Sequence, residues 1–157
     1  MRLFIAIFAV FILLSCDNTT TTSDTIYCKI RPKSNQIAFD SILFSFTNIV
    51  SFSESTGELQ LKQSLSERQL AQFGKFHFYI GADSLFTARY ATDYMSSIVD
   101  DLVLYYSIYD RKLFLHDGYP MSINVGIGDL RIENRAKRAA KWKRFIDVLK
   151  AQHKIIK

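Results

Sequence analysis

The chain has 157 residues, a formal net charge of +5 and a hydrophobic content of 48%. This composition is that of a globular protein and excludes disorder as the default state. The charge is unevenly placed, since residues 131–157 carry ten Lys/Arg against two acidic residues, whereas residues 16–130 carry nine against thirteen. The basic character therefore belongs to the last segment, and such asymmetry indicates an anionic partner for that segment.

The first residues have the pattern of an export signal. Arg2 is followed by an unbroken apolar run over residues 3–14. Twelve residues are too few for a stable transmembrane helix, which needs about 20. A basic start, a short apolar region and a small residue at the cut are typical of a secretory signal.

The end of that run resembles a bacterial lipobox, with the sequence Leu13-Leu14-Ser15-Cys16. The resemblance implies cleavage after residue 15 and acylation of Cys16, and two or more acyl chains anchor a protein stably. Asp17 resembles the enterobacterial signal for inner-membrane retention, a rule that other phyla do not all follow. The alternative is a buried N-terminal helix with a chance cysteine.

A polar tether over residues 16–24 leads from the anchor to the domain. It contains four consecutive threonines, and its eight residues after Cys16 reach at most about 28 Å when extended. If Cys16 is lipidated, Cys28 has no intramolecular partner, so packing must hold the fold together. We therefore expect Cys28 to be a small core residue in a single domain over residues 25–157.

Alternating apolar residues and turn signals predict the first part of that domain. Pro32 ends the first strand, and a turn over 54–57 precedes the strand 58–62. Ser64 and Glu67 match a capping box for a short helix. The predicted strands are 25–31, one or two within 36–52, 58–62 and 75–80, and the predicted helix is 65–73.

A stripe at helical spacing follows, made of Ala88, Ala91, Met95, Ile98, Leu102, Tyr105 and Tyr109. The intervals of three and four residues predict a long amphipathic helix over 84–110. Met95, Ile98 and Leu102 should be buried, and Asp93 and Asp100 should be exposed. The tyrosines of this segment are either a binding surface or core residues whose hydroxyls reach the domain edge.

The last part is predicted as two strands, 113–116 and 122–127, joined by a turn over 117–120. A final helix over about 130–152 follows, with Asp129 as its cap. The fold class predicted from this order is α+β, an antiparallel sheet with the long amphipathic helix and the C-terminal basic helix packed on one face.

Few residues suggest catalysis. His116 and Asp117 could form a base and its orienter, but neighbours on a strand point to opposite faces, and Asp-Gly is common turn chemistry. Asp83, with Asp100 and Asp101, could bind a metal or phosphate, but helix capping and a solvated face are the favoured explanation, because Asp and Ser are preferred caps. No catalytic residue, metal or cofactor is therefore predicted.

The strongest functional hint is the basic helix. An amphipathic helix with an aromatic anchor is typical of a membrane-surface element, and the export signal argues against nucleic acid. The alternative is a helix docked on the sheet with its basic face in water. The residues predicted to bind a membrane or anionic partner are Arg131, Arg135, Lys137, Arg138, Lys141, Trp142, Lys143 and Arg144.

These patterns predict a membrane-anchored cell-envelope lipoprotein that faces the periplasm or the cell exterior. We expect a non-enzymatic module whose partner is an anionic lipid or an envelope protein. The alternative is a small envelope hydrolase or metal-dependent enzyme using Asp83, Asp101 or His116. An enzyme requires a pocket where two of these groups converge, whereas a binding module should show an exposed aromatic or basic patch.

Overall fold

A six-stranded sheet, a smaller three-stranded sheet and one long helix make up the fold. The computed structural model describes residues 25–32, 41–121 and 128–157. The elements in chain order are β1 (Ile26–Pro32), β2 (Ser41–Ser45), β3 (Ile49–Ser53), β4 (Leu59–Leu61), α1 (Glu67–Ala71), β5 (Phe73–Ile80), β6 (Asp83–Thr92), β7 (Val99–Ser107), β8 (Lys112–Tyr119), α2 (Gly128–Ala151) and β9 (Ile155–Ile156). The predicted mixed α+β class is therefore confirmed.

The large sheet has the strand order β2-β1-β5-β6-β7-β8. All neighbours are antiparallel except β6 and β7, which run parallel, so the prediction of a wholly antiparallel sheet is wrong at this pair. Only residues 93–98 connect the two strands, although parallel neighbours usually need a connection of a dozen or more residues. This short return segment distinguishes the sheet from a simple meander.

The predicted helix over 84–110 is wrong. The segment forms β6, the 93–98 connection and β7. Ile98 is 53% exposed, whereas Leu102 is 1% exposed as expected. The physical reason lies in β7, where Val103 and Leu104 are both fully buried, one on each face of the sheet. A strand that is buried on both faces has a continuous run of apolar residues instead of alternating apolar and polar ones. Such a run contains apolar residues at every interval, including the three- and four-residue spacing of a helix.

Helix α2 lies between the two sheets and confirms the helix predicted over 130–152. Phe52 of the small sheet meets Trp142 and Phe145 of α2 at ring-centroid distances of 5.9 and 5.7 Å. Phe78 and Phe86 of the large sheet lie 6.1 and 5.3 Å from Phe145. The small sheet, ordered β4-β3-β9, is completed by β9, which pairs in parallel with β3 directly after α2. The aromatic side chains of α2 thus join both sheets in one core.

Several local predictions are confirmed. Strand 25–31 is found as β1, and Cys28 is fully buried, which raises the pKa of its thiol. The short helix is present as α1, but its capping box is Ser66 with Gln69, two residues later than expected. The turn predicted over 117–120 is wrong for residues 117–119, because these residues belong to β8, which ends at Tyr119.

Other predictions lie outside the described residues. They concern the signal segment 1–15, the tether 16–24 with Cys16, the beginning of the 36–52 segment and the strand 122–127. The prediction of Asp129 as the cap of the last helix is wrong, because α2 begins at Gly128 and Asp129 lies within it.

Candidate functional site

A groove of about 1150 Å³ runs along β8, between α2, the turn over residues 54–57 and strand β7. β8 is an edge strand of the large sheet. Side chains from both of its faces reach the groove, because Phe114 and His116 alternate with Leu115 and Asp117. The opposite wall is formed by α2, with Arg135, Arg138, Ala139, Trp142, Ile146 and Lys150.

The 54–57 turn approaches β8 through Gly57. The Leu115 N–H donates to the Gly57 carbonyl at 2.8 Å, and the Gly57 N–H donates to the Ser53 carbonyl at 2.8 Å. Gly57 has a φ of +73°, and a Cβ at this position would overlap the Leu115 carbonyl oxygen. Glycine is therefore required both by the backbone conformation and by the close contact. The Glu58–Lys112 ion pair, at 3.0 Å, joins the same two segments.

Aromatic rings form one wall of the groove. The Phe114 and His116 rings stack at a centroid distance of 5.3 Å, and the Tyr105 ring lies 5.9 Å from each of them. Burial lowers the pKa of His116 from its ordinary value of 6.5, which favours a neutral imidazole near pH 7. The wall therefore presents uncharged, flat surfaces to the groove.

Charged groups at the α2 wall are paired with carboxylates of the sheet. Arg138 is 8% exposed, and its guanidinium contacts Asp101 at 2.5 Å and also Asp117. Arg135 reaches the second oxygen of Asp117 at 2.5 Å. At the other end, Lys150 pairs with Glu54 at 2.8 Å. These pairs link α2 to β7, to β8 and to the 54–57 turn, so the charges hold the groove walls together.

The structure separates the predicted basic residues into two groups. Arg131 and Arg138 are buried, and the Arg131 guanidinium donates to the carbonyls of Val99 at 3.3 Å and Pro120 at 3.0 Å. Trp142 packs between Phe52 and Phe86. These three side chains are part of the domain interior.

The remaining predicted basic residues are exposed, and most are paired. The pairs are Arg135 with Asp117, Lys137 with Glu133 at 3.6 Å, Lys143 with Asp147 at 2.6 Å, and Arg144 with Asp83 at 2.7 Å. Lys141 is exposed on the same helix. The outer surface of α2 is therefore less positive than its composition suggests, because a carboxylate accompanies most of its cations.

The candidate catalytic residues do not converge. Asp83 pairs with Arg144 at the start of β6, Asp101 pairs with Arg138, and His116 lies among aromatic rings. The groove is lined by His116 and Asp117 but not by Asp83 or Asp101. Within residues 25–32, 41–121 and 128–157, no three His, Cys, Asp or Glu side chains lie close enough together to hold a metal ion.

Sequence reasoning missed the groove itself. It depends on Gly57, which reaches β8 only because the β3–β4 hairpin packs against that strand, and on Tyr105 and Phe114, which are register partners on β7 and β8. The alternation of Phe114 and His116 in a predicted strand was the one available signal, since it places two rings on one face.

Comparisons of the chain with protein-family models, with curated proteins and with solved structures found no match. Among the described residues, no helix is both long and apolar enough to cross a membrane. The groove and the distribution of charge are thus the features from which a function can be argued.

Proposed function

We propose that the chain is a lipid-anchored protein of the bacterial cell envelope whose domain binds an amphipathic ligand in the groove along β8. The supporting observation is the groove, about 1150 Å³ in volume and lined by aromatic rings and paired charges. Ligand pockets are commonly about 300–1,000 Å³ and combine apolar walls with a few polar groups. The groove is large enough for a ligand of that size and has both kinds of surface.

The anchor in this proposal is Cys16, acylated after removal of residues 1–15. It rests on the lipobox resemblance of residues 13–16. The polar tether then holds the domain at the membrane, facing the periplasm or the cell exterior. The protein is a binding module without enzymatic activity, since the residues considered for catalysis lie apart and are engaged in ion pairs or ring contacts.

The chemistry of the groove suggests the ligand class. Trp142 offers aromatic surface to an apolar body on the α2 side of β8, and Tyr105 and Phe114 offer it on the other side of the same strand. Arg135 and Lys150 lie at the α2 wall, each paired with a half-exposed carboxylate. The polar head of a ligand can therefore bind to the cations if it is negative or to the carboxylates if it is positive. An amphipathic molecule fits both features.

A fluorescence titration tests this proposal, because Trp142 is the only tryptophan of the chain and lines the groove. The probes are anilinonaphthalene sulfonate and a straight-chain fatty acid. We expect saturable changes in Trp142 emission. Ala139→Phe should abolish them, since Ala139 lines the groove, whereas Ala140→Phe should not, since Ala140 faces a different depression. Equal effects of the two variants, or no saturable change in the unmodified protein, would contradict ligand binding in the groove.

The basic helix retains a second, smaller role in this proposal. Since the arginines of α2 contact the sheet, Lys137, Lys141 and Lys143 are exposed lysines that an anionic partner can reach. Two of them already have carboxylate neighbours. We assign these lysines to an acidic envelope protein, and we expect no nucleic acid as partner.

A further inference from the structure

The outer sheet face, defined here as the side of β1, β5 and β6 that α2 does not cover, carries a second set of basic side chains. Strand alternation places Lys29, Lys75 and Arg89 on this face, opposite the buried Cys28, Phe76 and Ala88. The other described side chains on the face are Tyr27, His77, Tyr79, Ser84 and Thr87. No carboxylate is among these described side chains.

The register brings the basic groups close together. Lys29 is opposite His77, His77 is opposite Thr87, and Lys75 is opposite Arg89. Side chains directly opposite each other have Cβ atoms about 5 Å apart. Three strands therefore present their cations as one patch on the same face of the sheet.

The contacts of these cations differ from those on α2. Lys29 lies over the stacked rings of Tyr27 and Tyr79, with its ammonium 5.5 and 5.0 Å from their centroids. Lys75 and Arg89 are exposed. Among the described residues, no ion pair joins Lys29, Lys75 or Arg89 to a carboxylate, whereas most exposed cations of α2 have one. The outer sheet face is therefore the stronger attractor for anions.

We infer that the outer sheet face lies against the anionic headgroups of the membrane to which the chain is anchored. This inference rests on the proposed lipid anchor. The tether reaches the domain at Thr25, directly before β1, and the Thr25 carbonyl accepts from the Gly81 N–H at 3.2 Å. Its reach of at most about 28 Å allows this face to meet the bilayer. Ile42, the register partner of Lys29, is 60% exposed and adds an apolar contact, and tyrosines are favoured at membrane interfaces.

This orientation gives the two basic surfaces different roles. Helix α2 lies on the opposite side of the large sheet, so its exposed lysines point away from the bilayer. One flat membrane cannot contact both sets of cations. The groove along β8 remains accessible beside α2.

Lysine labelling of the full acylated protein in vesicles tests the inference. A water-soluble amine reagent and mass spectrometry give the labelling rate of each lysine. In vesicles of phosphatidylglycerol and phosphatidylcholine at low salt, Lys29 and Lys75 should be labelled about tenfold more slowly than in pure phosphatidylcholine. Each basic residue near an anionic surface favours the contact by about fivefold. Lys137, Lys141 and Lys143 should react equally in both. Salt near 1 M should remove the protection, because the screening length then falls to about 3 Å.

Two variants show whether the positive charge of the outer sheet face causes the protection of Lys29 and Lys75. Arg89→Gln should reduce the protection of Lys29 and Lys75, whereas Lys141→Gln on α2 should leave it unchanged. Protection of the α2 lysines instead, or protection that ignores lipid charge, would overturn the assignment of the face. A protein held by vesicles without any protection would overturn this inference alone. A protein that vesicles do not hold would overturn the proposed anchor and this inference with it.

Discussion

Arg138 is the residue that connects α2 most firmly to the strands beside the groove. Its side chain is largely buried and contacts Asp101 of β7 and Asp117 of β8. Asp117 also accepts a hydrogen bond from Arg135. One carboxylate of edge strand β8 therefore binds arginines on two successive turns of α2. Burial disfavours the charged form and lowers the pKa of Arg138, while Asp101 opposes that shift. A buried charge is tolerated here because two carboxylates compensate it.

We predict that Arg138→Met lowers the free energy of unfolding by about 2 kcal/mol. Removing one partner of a buried ion pair costs about 3–5 kcal/mol, and the expected loss is smaller because Asp101 is half exposed and solvent screens it. Lys137→Met is the matched control, since its exposed pair with Glu133 should contribute only about 0.3–0.5 kcal/mol. Urea unfolding measures both. Equal losses would show that Arg138 is not a structural link.

A second prediction concerns pH. The pKa of His116 is lowered by burial in the folded protein, so below its ordinary value of 6.5 the unfolded chain binds a proton that the folded chain does not. Stability should therefore fall as pH decreases below about 6.5 and continue to fall until the folded pKa is passed.

Replacing His116 by Phe keeps a ring in the stack with Phe114 and removes the titrating group. We expect His116→Phe to lose less stability than the unmodified protein between about pH 7.5 and about pH 5, as measured by urea unfolding. An identical loss in both proteins would show that His116 does not contribute to the pH dependence.

At the scale of elements, the sequence predicted what local patterns determine. Pro32, the 54–57 turn and the capping signals marked the limits of β1, the β3–β4 hairpin and α1. The helix prediction over 84–110 was wrong because the spacing of apolar residues does not show whether a segment is covered on one face or on both. β7 is buried on both faces, and that burial depends on the 93–98 connection, a tertiary feature without a local signal.

The basic helix was predicted correctly as a helix, but its charges could not be assigned from sequence. The carboxylate partners of its arginines come from strands of the large sheet, such as Asp83 for Arg144 and Asp101 for Arg138. Composition therefore indicated a charged surface where the fold forms ion pairs. The groove was missed for the same reason, because its walls come from separate parts of the chain, namely the 54–57 turn, strands β7 and β8, and helix α2.

The assignment of residues 99–107 to strand β7 predicts different effects for substitutions at Ile98 and Leu104. Ile98 is half exposed in the connection, so Ile98→Asp should change the free energy of unfolding by less than about 1 kcal/mol, as surface changes usually do. Leu104 is fully buried in β7, so Leu104→Asp should prevent folding, since an unpaired buried charge costs several kcal/mol.

Thermal melts followed by circular dichroism separate these cases. Unfolding of the Ile98→Asp protein would instead favour a helix in which Ile98 faces the core.

For the whole molecule, the described parts of the chain enclose one continuous aromatic core between two sheets. The end of the chain contributes to it, because β9 pairs with β3 and the Phe52 N–H donates to the Lys154 carbonyl at 2.8 Å. The Lys154 ammonium donates to the Phe46 carbonyl at 2.8 Å and to the Ile49 carbonyl, and it lies 4.1 Å from the centroid of the Phe46 ring. The helix is therefore held at both ends, by Arg131 near its start and by the β9 pairing after its end.

The anchor is the last prediction, and the chain offers its own control. It has two cysteines, Cys16 and the fully buried Cys28. In a bacterial host supplied with labelled fatty acid, the unmodified protein and Cys28→Ala should both incorporate label and be processed to a smaller size. Cys16→Ser should do neither, because acylation requires the thiol at the lipobox position. Label in Cys16→Ser, or processing to the same size, would contradict the lipoprotein assignment. Loss of label in Cys28→Ala, with Cys16 intact, would place the lipid on Cys28. We do not expect this result, because the thiol of Cys28 is buried and no acylating enzyme can reach it while the domain is folded.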